Sequence, residues 1–380
     1  MTHTNPSSPA LSEHVYTGHV VYIFGFDVAW ELKRESLQTI LGQPVAQFKI
    51  DLSRRAPRQD FFHSAKMVRM PALERLGPDG PVRVEIDVKL LPVGALSITA
   101  RVPFRVARLE DLVAFHDLRF STGETILQEV YRIAEDICRD IRGALIKPVE
   151  RLSDEEAYTV FCLDTLPQNT GASWSTELWL QQNRRVVAAL LTQETDPNEL
   201  SLQEAEESTQ RYLSYYDDDL VVVDWDAALL IDEPGKFAET LYLMELANVQ
   251  LAELEAYDRM LDEVLMRAYR DLSTRKMFWK GGTIQRALRE IRVDFARMSD
   301  ELQNITKFFG DWHTARVYQA IAGRFHLADW QHTVESKLKT LDELYDILQA
   351  EKNNRVMLIL EILIVLLFVA DIIMLLKNGR

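Results

Sequence analysis

Cysteine is scarce in this sequence of 380 residues, which holds only Cys138 and Cys162 and no Cys-x-x-Cys pair. Disulfide scaffolds need several cysteines, and structural zinc sites need sets of thiolates or histidines at short spacing. The two isolated cysteines therefore give neither a disulfide scaffold nor a thiolate metal site, and a single disulfide between them stays open. They are typical of a protein in a reducing compartment.

Positive charge is also limited, because 43 Lys and Arg residues stand against 58 Asp and Glu residues, for a net charge of -15. A protein that binds nucleic acid needs a basic surface to meet the phosphates, so no nucleic-acid partner is expected.

The numbers of proline and glycine residues are modest, at 13 and 15, and 47% of the residues are hydrophobic. Most of the chain is therefore expected to fold around apolar cores.

Motifs for common chemistries are missing as well. The sequence has no P-loop, GxGxxG, HExxH or GxSxG pattern, and its glycine clusters at 76–80 and 280–282 lack the flanking residues that such motifs need. His326 and His332 stand six residues apart, whereas paired metal ligands on a helix stand three or four apart. No enzyme class and no cofactor is predicted.

The first part of the chain has the pattern of a mixed α/β region over residues 16–150, after a polar stretch at 1–15 that is expected to be disordered. Residues 17–30 are typical of a buried strand. Apolar residues alternate with polar ones over 82–90 and again over 96–104, with turn residues between them, which predicts a β-hairpin. Helices are expected near 108–119 and 124–145.

A second α/β region is predicted over residues 151–235. Residues 157–163 and 184–191 have the composition of strands, 200–216 that of a helix, and 219–231 that of a strand or a tight hairpin. The two regions together predict an α+β fold with one or two small mixed sheets and helices.

An acidic cluster lies inside the second region, and two interpretations of it stay open. On a strand, Asp224 and Asp226 would share a face and could hold Mg²⁺ or Ca²⁺. Alternatively, the cluster is a solvated turn beside an edge strand that charge protects from aggregation. The acidic residues are Asp217, Asp218, Asp219, Asp224 and Asp226.

Residues 236–355 lack strand patterns and predict long helices. Apolar residues recur there at alternating steps of four and three, which predicts a coiled-coil seam, and a break at 308–312 predicts an antiparallel helical hairpin. The segment 312–318 offers polar residues for a site at the hairpin tip, or aromatic residues for packing. The predicted seam consists of Ile284, Leu288, Ile291, Phe295, Met298, Leu302, Ile305, Phe309, Leu338, Leu341, Tyr345 and Leu348.

Residues 356–376 form the one long apolar run, about 21 residues or about 31 Å of helix, which matches the hydrocarbon core of a bilayer. A short basic tail, 377–380, follows it. The run contains Glu361 and Asp371, and a carboxylate in hydrocarbon is costly. Each could extend towards its nearer interface, hydrogen-bond to another helix in an oligomer, or line an ion pathway.

The C-terminal stretch resembles the YagE family, also called the "required for meiotic nuclear division" family. The resemblance lies in a coiled coil followed by one membrane helix with two acidic positions, and in a similar pre-membrane helix at 334–355. It implies an inner-membrane protein that forms large complexes and has no established catalytic residues. The residues that carry the pattern are Leu360, Glu361, Ile362, Leu363, Ile364, Leu367, Phe368 and Asp371.

These observations predict a single-pass, tail-anchored membrane protein that acts as an oligomeric scaffold, tether or assembly factor. Its partners would be the lipid bilayer, further copies of itself and proteins bound by the α/β region. The soluble part would face the cytoplasm, at a bacterial inner membrane or, alternatively, a mitochondrial one. The alternative function is a channel or transporter component, similar to CorA in layout only. A third is a membrane-bound hydrolase that uses Asp217–Asp226.

Overall fold

The structure, a computed structural model, describes residues 15–33, 37–48, 65–77, 80–152, 156–166, 175–274, 289, 291–293, 295–296 and 312–378. The chain divides into two compact units. Unit 1 comprises Met1–Glu253 and Gln303–Ala328, and unit 2 comprises Leu254–Leu302 and Asp329–Arg380. The predicted disordered segment at 1–15 lies outside the described residues except for its last residue.

Strands make up much of unit 1. They are β1 (Tyr16–Asp27), β2 (Ala29–Leu32), β3 (Thr39–Ile40), β4 (Gln43–Pro44), β5 (Ala46–Gln47), β6 (Lys66–Arg69), β7 (Leu73–Gly77), β8 (Gly80–Leu90), β9 (Ala95–Val106), β10 (Leu145–Pro148), β11 (Glu156–Thr165), β12 (Tyr212–Leu213), β13 (Leu220–Val223) and β14 (Ala227–Ile231).

Helices connect and cover these strands. Short 3-10 helices lie at Leu109–Phe115 and Arg142–Ala144. The α-helices are α1 (Ile126–Asp140), α2 (Thr176–Leu191), α3 (Leu202–Thr209), α4 (Phe237–Thr274), α5 (Trp312–Arg324) and α6 (Leu327–Asn378).

One ten-stranded sheet organises unit 1, with the order β12-β13-β14-β11-β1-β9-β8-β6-β5, and with β7 also paired to the long β8. Strand β11 is central, because it pairs antiparallel with β1 and parallel with β14. The regions 16–150 and 151–235 therefore contribute strands to the same sheet. The mixed α+β architecture is as the sequence predicts, but most of the strands form one large sheet rather than one or two small ones.

The predicted hairpin is confirmed by β8 and β9, which pair antiparallel from Glu85↔Arg101 to Leu90↔Leu96. The turn between them contains Gly94 at a φ of 92°, and its carbonyl accepts hydrogen bonds from the backbone N–H groups of Val28 and Ala29. The tight hairpin predicted within 219–231 is also confirmed, as β13 and β14 pair antiparallel.

The alternation of side chains along the strands gives the sheet two covered faces. On the first face, residues such as Phe26, Ile98 and Phe161 form the main core with α1 and α2. On the second face, the first half of α4 lies over β1, since a Cβ atom at Gly25 would meet Asn248 and Ala252.

One strand prediction is wrong in type, and one helix prediction is wrong in length. Residues 184–191, predicted as a strand, form the end of α2, because a continuous buried apolar run does not distinguish a buried helix from a buried strand. The helix predicted at 124–145 ends at Asp140, well before Pro148. Its start is set by the Thr125 hydroxyl, which accepts a hydrogen bond from the Gln128 N–H at 3.2 Å.

The region after residue 311, predicted as one helix, consists of α5 and α6. The two helices are separated at His326, which has a φ of 50°, a value that does not continue a right-handed helix. In unit 1, α5 covers part of the second sheet face, where the Phe325 ring lies 4.8 Å from the Tyr158 ring.

Unit 2 is helical in its described residues. Lys337 on α6 pairs with Asp258 and Asp262 of α4, each at 2.6 Å, and Arg292 pairs with Asp342. Four predicted seam residues, Ile291, Phe295, Leu338 and Leu341, are buried. The side chains of Tyr345 and Leu348, and the whole of Ile284, Leu288, Met298, Leu302, Ile305 and Phe309, lie outside the described residues.

Candidate functional site

The most distinctive feature of unit 2 is the apolar second half of α6. The 19 residues Val356–Met374 form a helix that is, by length and composition alone, long and apolar enough to cross a membrane. The helix rises about 28 Å over this stretch. Each of its described side chains is exposed to solvent, including the large ones from Met357 to Met374. The predicted continuation of the helix at 334–355 into this segment without a break is confirmed.

Glu361 lies within this stretch and is exposed. On a straight helix it is rotated by about 140–180° from Val334, Leu338 and Leu341, the residues that α6 buries within unit 2. Glu361 therefore belongs to the face opposite the buried stripe. Asp371 is part of the same helix, but its side chain lies outside the described residues.

Asp224 and Asp226, the two candidate metal ligands, lie in different surroundings. Asp224 is buried, and its carboxylate lies 3.4 Å from the Arg324 guanidinium of α5. Asp226 is exposed at the tip of the β13–β14 hairpin. Among the residues that the structure describes, no group of three or more His, Cys, Asp or Glu is arranged to hold a metal ion. Asp224 instead fixes the end of α5 to the sheet.

The segment 312–318 does not form one polar site. Tyr318 is buried and its hydroxyl lies 2.5 Å from Gln250 Oε1, so it packs into unit 1. His313 instead lies against Tyr215, with their ring centroids 5.1 Å apart, and Arg316 is exposed.

A cysteine, a histidine and an aspartate meet on the second sheet face, where the register pairs His19 with Cys162. His19 Nδ1 lies 3.9 Å from Asp164 Oδ1. Burial, helped by the charge of Arg101, lowers the pKa of His19 to about 4. Burial also raises the pKa of the Cys162 thiol well above its usual range. A neutral imidazole beside a protonated, fully buried thiol is not an activated nucleophile.

A buried polar trio joins the sheet to α4. Lys89 on β8 forms an ion pair with Glu245, and the Ser97 hydroxyl on β9 donates a hydrogen bond to the same carboxylate at 2.6 Å. The Lys89 ammonium also lies 4.4 Å from the centre of the Phe48 ring. All polar members are satisfied, so the trio fixes α4 on the sheet. Strand alternation places Lys89 and Ser97 on one face, but the sequence carries no signal for their partner.

An open groove of about 820 Å³ lies beside the first 3-10 helix. His116 lines it, and its Nε2 lies 2.6 Å from the Leu190 carbonyl oxygen. Burial lowers the pKa of His116. The nearby carboxylates Glu110 and Asp117 are paired with Arg108 and Arg119. The groove is lined by both polar and apolar side chains.

Comparison with known proteins identifies the family of this chain. Residues 17–238, more than half of the chain, match the family described as "Uncharacterized protein MJ0711, N-terminal domain", and the chain belongs to that family. The matched range includes all of the sheet except Tyr16 and ends as α4 begins. The long helices, including the apolar segment of α6, lie outside it.

A relative from Methanocaldococcus jannaschii, named "Uncharacterized protein MJ0711", is 23% identical over 219 residues. The aligned region is 58% of this chain and 65% of the relative. No solved structure matches the chain.

The resemblance to the YagE family is wrong, because the family that matches is a different one and its match covers the sheet rather than the C-terminal helices. A coiled-coil pattern followed by an apolar helix recurs in unrelated membrane proteins, since both periodicities follow from general packing rules.

Proposed function

We propose that this protein is a single-pass membrane protein in which α6 anchors the α/β unit at a bilayer. The observation that carries the proposal is the exposed apolar segment Val356–Met374. Leaving so many large apolar side chains in water is unfavourable by about 25 cal/mol per Å² of apolar surface. Insertion into lipid removes that cost, and the helix satisfies its own backbone hydrogen bonds there.

In this proposal the protein is an oligomeric scaffold or assembly factor rather than an enzyme. Glu361 supports oligomer formation, since it lies on the face of α6 opposite to Leu338 and Leu341 and needs a hydrogen-bonding partner in lipid. The sequence has no P-loop, GxGxxG, HExxH or GxSxG pattern. The scaffold therefore acts through contacts made by unit 1 and by the membrane helix.

The helices of unit 2 are part of the same proposal, as a coiled-coil hairpin that supports the anchor. The buried positions Ile291, Phe295, Leu338 and Leu341 belong to its seam and support it. The soluble part faces the cytoplasm, which is consistent with two cysteines that are both free thiols.

The experiment that tests the anchor is alkaline carbonate extraction of membranes from cells that express the full chain. The wild-type protein should stay in the membrane pellet. A variant with Leu363→Lys and Leu366→Lys should be released, because each lysine near the centre of a span costs about 2.5–3.5 kcal/mol on insertion scales. Leu202→Lys, at an exposed leucine of α3, is the matched control and should remain in the pellet. Release of the wild-type protein would refute the anchor.

A further inference from the structure

Three aromatic rings are in contact on the surface of unit 1, beside an exposed tryptophan that is the chain neighbour of one of them, and the proposed anchor does not use them. Tyr215 and Tyr216 are 59% and 62% exposed, and Trp312, the first residue of α5, is 80% exposed. The ring centroids of Tyr215 and Tyr216 are 4.7 Å apart at an interplanar angle of 82°, and the His313 ring lies 5.1 Å from Tyr215. We call the rings of Tyr215, Tyr216 and His313, together with Trp312, the residue directly before His313, the aromatic surface.

The backbone under the aromatic surface is held in place before any partner arrives. The backbone N–H groups of Tyr215 and Tyr216 donate hydrogen bonds to Asp219 Oδ1, at 2.7 and 3.1 Å. The Thr176 hydroxyl at the start of α2 donates to the Asp219 carbonyl at 2.6 Å. A surface ordered in advance loses little conformational entropy on binding. Single exposed apolar side chains are ordinary, whereas two neighbouring tyrosines on an ordered backbone, with an exposed tryptophan also in the aromatic surface, have the composition of binding hot spots.

Charge identifies the chemistry of the partner. Asp217 and Asp218 are exposed and directly follow the two tyrosines. The neighbouring Lys236 is already engaged by Glu233, at 3.3 Å, and by Asp232. The rings offer negative π faces and the aspartates offer carboxylates, so both attract a cation.

We propose that the aromatic surface docks a basic segment of a partner protein, with a lysine or arginine side chain against the rings and neighbouring basic residues near Asp217 and Asp218. This inference goes beyond the membrane anchor and does not depend on it, because all of these residues belong to unit 1.

The test uses the full chain in detergent micelles and a fluorescein-labelled decapeptide of alternating lysine and glycine, followed by fluorescence anisotropy. The same peptide with every lysine acetylated keeps its length and loses its charge. The wild-type protein should bind the first peptide and not the second. Tyr216→Ala and Trp312→Ala should each weaken binding by about two- to fivefold, and the double variant by about tenfold.

Matched variants separate the aromatic surface from general effects. Tyr216→Phe keeps the ring and should bind as the wild-type protein does. Trp225→Ala removes another exposed tryptophan, 58% exposed on the β13–β14 hairpin, and should also leave binding unchanged. Asp218→Asn should weaken binding at low salt and reduce its dependence on salt.

Three results would overturn the proposal: equal binding of the acetylated peptide, an equal loss of affinity in Trp225→Ala, or binding of free choline at the aromatic surface without binding of the lysine peptide. The last result would assign the rings to a lipid headgroup. Failure of the membrane anchor appears in carbonate extraction instead, so the two proposals fail separately.

Discussion

At the scale of single residues, Lys89 and Glu245 form a buried ion pair that connects the sheet to α4. We expect Lys89→Met to lower the free energy of unfolding by about 3–5 kcal/mol, because Glu245 would stay buried without its countercharge. Urea denaturation in mild detergent, followed by tryptophan fluorescence, measures the loss. Lys339→Met, at an exposed position of α6, should change the midpoint little.

The double variant Lys89→Met with Glu245→Leu provides the complementary check. It removes both charges together, so it should recover at least half of the stability that Lys89→Met loses. A double variant as unstable as the sum of the two single variants would show that the ion pair does not account for the effect.

The lowered pKa of His19 predicts how the stability of the protein depends on pH. Its pKa is about 4 in the folded protein and 6.5 in the unfolded chain, so the unfolded chain binds more protons between these values. Stability should therefore fall as the pH drops from about 6.5 towards 4. Asp164, whose pKa burial raises above 3.8, opposes this trend over the acidic end of the window.

Thermal melting between pH 7 and pH 4.5 measures the dependence. The slope should become shallower in His19→Asn and stay unchanged in His332→Asn, a change at an exposed histidine of α6. Equal slopes in the wild-type protein and His19→Asn would contradict the assignment.

At the scale of elements, the turn between β8 and β9 depends on Gly94. A Cβ atom there would lie 1.9 Å from the Ala29 carbonyl oxygen, and the φ of 92° disfavours any L side chain. We expect Gly94→Ala to cost about 3 kcal/mol or more in the free energy of unfolding.

Gly143→Ala is the control for Gly94→Ala, because nothing lies within 4 Å of a Cβ atom at Gly143. Urea midpoints of the two variants give the comparison. A Gly94→Ala midpoint equal to that of Gly143→Ala would show that the turn can rearrange around a side chain.

Helices and strands were predictable where the local sequence pattern clearly favoured one type of secondary structure. The β8–β9 hairpin alternates strictly, and α4 lacks any strand pattern, so both were predicted from the sequence. The end of α2 was not, because residues 187–191 are buried on every side and carry no period. The break at His326 also escaped prediction, since a histidine with a positive φ has no clear sequence signal.

At the scale of the whole molecule, the proposed oligomer makes a prediction about mass. We expect the full chain in detergent to have more than one copy per particle, measured by light scattering with the detergent mass subtracted. Glu361→Leu with Asp371→Leu should shift the particle towards one copy, because the variant helix no longer needs polar partners in the apolar phase.

Val365→Leu is the control for this mass measurement and should keep the wild-type mass. A wild-type protein with one copy per particle would remove the basis for the oligomeric scaffold.

The sequence by itself determined the features that depend on local pattern. The alternation of apolar and polar residues predicts the β8–β9 hairpin, and the lack of strand pattern in 236–275 predicts α4. The apolar run at 356–376 predicts the exposed half of α6. Each of these features depends on residues a few positions apart in the sequence, or on the composition of one segment.

Only the tertiary structure decided which distant groups meet. It joined two predicted regions into one sheet through β11, paired Asp224 with Arg324, and placed Glu245 beside Lys89 and His313 beside Tyr215. Such pairs are separated by about 100 residues or more. The pairs form because the packing of the sheet and helices brings the two residues of each pair together. The pattern of neighbouring residues in the sequence does not encode those long-range distances.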